Sequence, residues 1–305
     1  MVEPSVVTVG NFDGVHRGHQ VLIQRALGIA RQTSRPMLVL TFEPHPVVVL
    51  RGSCSHFLLT PGDLKRQFLE EVGATWLRVM PFTAEFARLA PLSFLDNVLA
   101  GDLKASHVVV GYNFTFGHKG AGDVNLLRNW GESRGIFTEI VEPWRDREGG
   151  QAVSSSWIRQ LVQEGRIEEA EQFLGHPFAV QGVVQEGDHR GRQLGAPTIN
   201  LIWPEIQVAA PYGVYAGMAT IEGHATPLMA VANFGVRPTF GASDARLEIH
   251  LLEDFKGAAS LYGKTVRFDL LHWLRAEKKF EDAGALSRQI RRDAEQARQL
   301  LQAGR

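Results

Sequence analysis

The sequence changes rhythm once, close to Pro177, and that change limits what the chain can fold into. From Ser5 to about Leu174, short β-branched runs alternate with amphipathic stretches: VVTVG, a helix-like segment from Gly18, MLVLTF, LKRQFLEEVG, TWLRVM, FLDNVLAGDL and SHVVVG. Strand signals alternating with helix signals describe βα units on a parallel sheet. Arg159–Val162 and Ile167–Phe173 read as two short helices closing that half. Beyond Pro177 come strand signals without intervening helices, FAVQGVV, GVYAGMATI, PLMAVANF, RLEIHLL and TVRFDLL, separated by Gly, Pro and Asp. They read as a small antiparallel barrel. From Asp282 the period turns helical again, with Leu286, Ile290 and Ala294 on one stripe, so a terminal helix is expected to pack on the barrel. The break near Gly175-His176-Pro177 divides the chain into residues 1–175 and 176–305. Two units also suit 305 residues, too many for one ordinary core.

Composition narrows the partners. With 32 Lys and Arg against 33 Asp and Glu, the formal net charge is −1, and no long-range field draws the chain onto a polyanion. Small-molecule substrates are expected, with no nucleic acid, and the chain as a monomer or weak homo-oligomer. The one cysteine, Cys54, has no internal disulfide partner, and MVEPSVVTVG lacks the basic and apolar regions of a signal peptide. A cytoplasmic location is expected. No apolar run approaches the roughly 20 residues that span a bilayer, so no membrane association is expected.

GNFDGVHRGH, residues 10–19, follows an apolar strand signal and precedes a helix signal. It therefore falls at the carboxyl end of a strand, where open α/β sheets bind ligands. Gly10 and Gly14 permit a tight turn, and the helix start offers free N–H groups and partial positive charge to phosphate. His16 and His19 share the first helical turn, within reach of a nucleotide phosphate. The plainer alternative is an ordinary strand-to-helix turn with two polar histidines. A metal site built from His16, His19 and His45 is a weaker one, lacking Cys or Glu at ligand spacing. Ser154-Ser155-Ser156 with Arg159 a turn later makes an anion site, or simply an N-cap beside a solvated arginine.

His16-Arg17-Gly18-His19 resembles the HxGH signature of the nucleotidyltransferases, and the whole of GNFDGVHRGH resembles the opening of bacterial FAD synthetases. TFEPHP at Thr41–Pro46, VVVGYNFTFG at Val108–Gly117 and SSSWIR at Ser154–Arg159 continue the resemblance in order. It implies a Rossmann-like α/β domain of the HxGH type with FMN adenylyltransferase activity. Gly10, Asn11, Phe12, Asp13, Gly14 and Gly18 would then frame ATP, with Ser155, Ser156 and Arg159 on its phosphates opposite His16 and His19. Phe42, His45 and Asn113 would line the flavin and nucleotide. Many members carry Asp where Asn113 stands and Arg where Lys119 stands.

In the second half, EGDHRGRQLGAPTIN joins Gly187, Gly191 and Gly195 with His189, Arg190, Arg192 and Pro197 between two strand signals. Such a loop suits polyphosphate, or is an exposed, charged hairpin. Thr198 and Asn200 face the same way if the segment is extended and offer oxygens to Mg²⁺. In RLEIHLL, Leu247, Ile249 and Leu251 fall on one face and Glu248 and His250 on the other. Glu248 is either a solvent-facing carboxylate or a general base. Gly263-Lys264-Thr265 is not the end of a Walker A loop, because Ala258 stands where its first glycine belongs.

GRQLGAPTIN resembles the riboflavin kinase loop written GRxLGFPTAN, and VANFGVRPTF, LEIHLL, LYGKTV and the LRAEKKF to QIRRDAEQAR tail follow in that family's order. The resemblance implies an antiparallel β-barrel kinase. Gly191, Arg192, Gly195 and Pro197 would cradle ATP, Thr198 and Asn200 would bind Mg²⁺, and Glu248 would activate the ribityl hydroxyl. Glu186 stands where His is common, Ala196 replaces the usual Phe and Ile199 the usual Ala. The whole chain therefore resembles an enzyme that phosphorylates riboflavin to FMN and adenylylates FMN to FAD, with ATP as co-substrate. The alternatives are a chain with only its adenylyltransferase half active, or a non-catalytic flavin-binding or regulatory homologue.

Overall fold

The computed structural model describes residues 3–52, 54–147, 149–185, 198–239, 242–253 and 261–303. Internal contacts divide the chain into two units, Met1–Ser55 with Thr60–Ser155, and His56–Leu59 with Ser156–Arg305.

The first unit holds a five-stranded sheet in the order β3-β2-β1-β4-β5, every pairing parallel. Its strands are β1 (Ser5–Val9), β2 (Met37–Glu43), β3 (Trp76–Pro81), β4 (Ala105–Gly111) and β5 (Phe137–Val141). Between them run α1 (Arg17–Thr33), α2 (Pro46–Arg51), α3 (Asp63–Glu71), α4 (Pro91–Ser93) and α5 (Val124–Arg134). β1 is buried at every residue, the signature of a central parallel strand covered on both faces. The order reverses between β1 and β4. At such a switch point the connections leave in opposite directions and open a crevice at the carboxyl ends of the strands.

FLDNVLAGDL, expected as an amphipathic helix, is wound wider. After α4 the chain runs through a π-helix over Phe94–Asp102, and Leu103 N–H reaches back five residues to the Val98 carbonyl. The wider turn gathers Phe94, Leu95, Val98 and Leu99 into the core beside Val108, Val110 and Trp130.

Beyond Ser155, the first residue of α6 (Ser155–Gln163), the second unit takes in the rest of that helix and α7 (Ile167–Leu174). Its antiparallel sheet has six strands in the order β6-β11-β8-β9-β10-β7. They are β6 (Phe178–Val183), β7 (Thr198–Ile202), β8 (Gly213–Ile221), β9 (Leu228–Thr239), β10 (Ala242–Leu251) and β11 (Thr265–Ala276). The expected barrel is a curled half-barrel, with a bridge between Gln185 and Asn200 where its ends approach. Irregularities in β11 at Leu270/His272 and Trp273/Arg275 help to bend it.

The terminal helix α8 (Ala283–Ala303) is present where expected, but its buried stripe lies further along. Ala294, Ala297 and Leu301 pack on Val214, Ala216, Val231 and Leu252, whereas Leu286 is exposed. A bidentate ion pair from Arg275 to buried Asp293, with Nη2 to Oδ2 at 2.7 Å, anchors the helix to β11.

Candidate active sites

β1 ends at Val9, and beyond Gly10 the chain turns through backbone that L-residues rarely adopt: Phe12, Gly14 and Val15 have φ of 50°, 85° and 38°. Left-handed backbone at non-glycine residues costs about 1–3 kcal/mol each unless surrounding structure imposes it. Here the side chains of Phe12 and Val15 are fully buried beneath the loop. A polar clasp holds it as well. Gly14 N–H donates to Thr60 Oγ1 at 2.8 Å, Thr60 N–H donates to Asp13 Oδ1 at 3.1 Å, and Ser155 Oγ donates to the Asp13 carbonyl at 2.8 Å. Asn11 is exposed, and its carbonyl accepts from Thr41 Oγ1 at 3.2 Å.

The loop delivers the two histidines to the start of α1. His16 is the N-cap, its Nδ1 accepting the His19 N–H at 3.4 Å, and the two rings stack with centroids 3.6 Å apart and planes 15° from parallel. The Phe12 ring meets His19 edge-on at 5.2 Å. Burial first, and then the neighbouring His16, hold the His19 pKa well below its ordinary value, so its imidazole is neutral near pH 7. Its Nδ1 is buried without a hydrogen-bond partner among the described residues. The first turn of α1 carries no acidic residue to offset the helix dipole. A stacked imidazole pair over an uncompensated helix start suits an anion. Gly18 is required for this packing, since a Cβ there would lie 2.9 Å from Val153 Cγ1 and 3.3 Å from the His16 ring.

Phe42, at the end of β2, packs against Phe82 and Phe86 at centroid distances of 5.8 and 5.7 Å. Buried Lys65 fixes that strand end, donating to the Phe42 carbonyl at 3.2 Å and pairing with Glu43 at 2.5 Å. His45 caps α2 through Nδ1, which accepts the Val47 N–H at 3.2 Å. Among the described residues no group of three His, Cys, Asp or Glu could hold a metal ion, so the three-histidine metal reading finds no geometry. Asn113 is exposed in the turn after β4. Ser156 and Arg159 belong to the second unit, where Arg159 Nη1 donates to Ser156 Oγ at 3.3 Å and its guanidinium lies 3.9 Å from the Phe57 ring centroid.

In the half-barrel, alternation sorts the faces of β7 and β10 as the sequence predicts: Ile199, Leu201, Leu247 and Ile249 are buried, with Phe234 of β9 beside them. On the other face the register builds a polar row. Glu248 stands opposite Asn200 of β7 and opposite Asn233 of β9, and His250 stands opposite Thr198. Burial, then Arg298, lowers the His250 pKa. Gly191, Arg192, Gly195 and Pro197, with Glu186 and Ala196, lie outside the described residues.

The sequence pattern alone missed Thr60, Lys65 and Val153. Their contacts span 46 residues to Gly14, 23 to Phe42 and 135 to Gly18, and no local period records them. Asn233 lies within VANFGVRPTF, but only the register of β9 against β10 puts it opposite Glu248.

A FAD synthetase family model matches residues 1–157, and a riboflavin kinase family model matches residues 174–301. The bifunctional riboflavin kinase/FMN adenylyltransferase of Escherichia coli (strain K12) is 36% identical over 98% of this chain and 93% of its own. The chain belongs to the bifunctional riboflavin kinase/FMN adenylyltransferase family. The Bacillus subtilis (strain 168) member is 35% identical over 96% of this chain and 91% of its own. A crystal structure described as a macrolide-efflux protein from Streptococcus pneumoniae superposes with a TM-score of 0.84 at 29% identity, covering 98% of this chain and 95% of that one. This riboflavin kinase/FMN adenylyltransferase therefore acts on flavins with ATP, phosphorylating riboflavin to FMN and adenylylating FMN to FAD. Among its described residues no helix is long and apolar enough to cross a membrane.

Proposed function

We propose that the two reactions use two separate sets of residues, the adenylyltransferase in 1–175 and the kinase in 176–305. The observation that carries the kinase half is the row Asn200–Glu248–Asn233, which sets one carboxylate between two carboxamides on the face opposite Leu247 and Ile249. Glu248 takes the proton of the terminal ribityl hydroxyl as that oxygen attacks the γ-phosphate of ATP, giving FMN and ADP. Gly191, Arg192, Gly195 and Pro197 cradle the triphosphate.

Thr198 and Asn200 supply neutral oxygens on one face of β7, a donor set that fits Mg²⁺ shared with substrate phosphates. Bound there, Mg²⁺ would neutralise charge on the transferring phosphoryl group.

In the adenylyltransferase half, an oxygen of the FMN phosphate attacks the α-phosphate of ATP and pyrophosphate leaves. The nucleophile is already anionic and needs no base. His16 and His19 at the helix start stabilise charge on the α-phosphate, with Arg159, Ser155 and Ser156 on the polyphosphate. Gly10, Asn11, Phe12, Asp13, Gly14 and Gly18 shape the nucleotide loop, while Phe42, His45 and Asn113 line the flavin region.

The single cysteine and ATP dependence support a cytoplasmic location, and the charge of −1 supports small-molecule partners over nucleic acid. A monomer or weak homo-oligomer suffices for this scheme.

Incubation with riboflavin, ATP and MgCl₂, followed by separation of the flavins, tests the division. The His16→Ala/His19→Ala double variant should accumulate FMN with FAD formation down about 10²-fold or more. Glu248→Ala should make no FMN yet adenylylate supplied FMN. Loss of both activities from either variant, with the fold intact, would refute separate sites.

A further inference from the structure

The polar row contains groups that neither reaction scheme employs. Asn233 stands directly opposite Glu248, and directly opposite residues on antiparallel strands carry their Cβ atoms about 4.5–5.5 Å apart on one face. Among the described residues its carboxamide makes no hydrogen bond, although one face of it adjoins the half-buried Glu248. The next residue on that face of β9 is Gly235, and the carboxylate of Glu277, just beyond β11, lies over it. Asn233 Nδ2 is 3.6 Å from the point a Cβ of residue 235 would occupy, so carboxamide and second carboxylate are neighbours. Any side chain at 235 would displace Glu277.

Two carboxylates disfavour a phosphate here. Arg246, opposite Gly235, is already engaged within the chain and is not a spare cation for an anion. A run of hydroxyls fits instead. Each hydroxyl donates once and accepts, a carboxylate only accepts, and a carboxamide does both, so adjacent hydroxyls of a polyol match all three groups in hydrogen-bonding character.

We propose that Asn233, with Glu277 beside it, is a specificity-determining residue that reads the ribityl hydroxyls of riboflavin and so presents the terminal hydroxyl to Glu248. The inference rests on Glu248 being the kinase base. It explains how the sheet selects a polyol chain: a site built to hydrogen-bond hydroxyls rejects a ligand lacking them because its own polar groups lose those partners.

The test is kinase kinetics of the full chain with riboflavin and with analogues each lacking one ribityl hydroxyl. Asn233→Ala should raise KM for riboflavin about 10-fold, the effect of one lost hydrogen bond to a desolvated group, with KM for ATP unchanged. For one analogue, the one missing the hydroxyl that Asn233 holds, wild type and variant should have equal kcat/KM. Asn233→Ser should recover part of the loss. An equal penalty for every analogue, or a change in KM for ATP instead, would overturn the assignment. FMN adenylylation and the melting temperature, both unchanged, exclude misfolding as the cause. Glu248→Gln separates the two readings: retained kinase turnover removes the base, whereas lost turnover with an Asn233→Ala penalty insensitive to the analogues removes only the polyol reader.

Discussion

Thr60 and Asp13 hold each other from both ends: the Thr60 amide donates to the Asp13 carboxylate at 3.1 Å, while the Thr60 hydroxyl accepts the amide of Gly14, the residue after Asp13. All of this is buried, and it closes the loop that presents His16 and His19. The left-handed residues in that loop are thus held by tertiary bonds.

Replacing Thr60 by Val keeps its shape and removes the acceptor. Gly14 N–H would lose its hydroxyl partner, at a cost of about 1–3 kcal/mol. Urea unfolding should show that loss, and FAD formation from FMN should fall about 10-fold or more, with FMN formation from riboflavin unchanged. Unaltered adenylylation would mean that the loop keeps its shape without the clasp.

Gly18→Ala tests the same loop from its other side. The helical backbone there accepts Ala, so the effect comes from sterics: the new methyl would press Val153 and the His16 ring. Either the His16–His19 stack or the segment bearing Val153 must shift. Adenylylation kcat should drop about 10²-fold, since misplacing catalytic groups by about 1 Å costs that much. Steady-state FAD formation measures it, and near-wild-type turnover would show that Val153 yields instead.

These contacts mark where sequence reading stops. The strand-helix rhythm before Pro177 and the strand runs after it carry the architecture, because burial periodicity is local and repeats along each element. GNFDGVHRGH could be placed at the carboxyl end of a strand from its neighbours alone, whereas the switch point between β1 and β4 depends on strand order, which no local period records. Thr60 and Val153 were invisible for the same reason: each acts once, through a contact far away in sequence. The π-helical turn over Phe94–Asp102 was likewise unreadable, since an apolar pattern does not distinguish α from π winding over nine residues. Leu286 misled because amphipathic spacing continues beyond the length of helix that the sheet covers.

His19 makes stability pH-dependent. Its folded-state pKa lies well below the ordinary 6.5, so above that value both folded and unfolded chains carry it neutral and it contributes nothing to the slope. Below about 6.5 the unfolded chain takes up a proton that the folded chain refuses, and stability falls as pH falls. His107 and His250 are lowered as well and act in the same direction. Urea midpoints at pH 7.5 and 5.5 should therefore differ more in the wild type than in His19→Gln. The difference should approach the slope of one proton, about 1.4 kcal/mol per pH unit. Equal differences in the two proteins would mean that His19 protonates freely in the folded state.

Asp293 ties α8 to β11 two residues before Glu277, and this anchor should govern flavin affinity as well as stability. Arg275 reaches Asp293 through Nε at 3.0 Å and Nη2 at 2.7 Å, with both side chains largely withdrawn from water. Removing one partner of such a pair leaves an uncompensated charge and costs about 3–5 kcal/mol. Asp293→Ala should therefore lower the unfolding midpoint of the second unit while the first unit's transition stays in place, as two fluorescence or hydrogen-exchange phases would show. Freed from its anchor, the chain end that sets Glu277 over Gly235 should also raise KM for riboflavin more than KM for ATP. If stability falls but both KM values hold, Glu277 is placed by Gly235 alone and the helix serves only as a cover for the sheet.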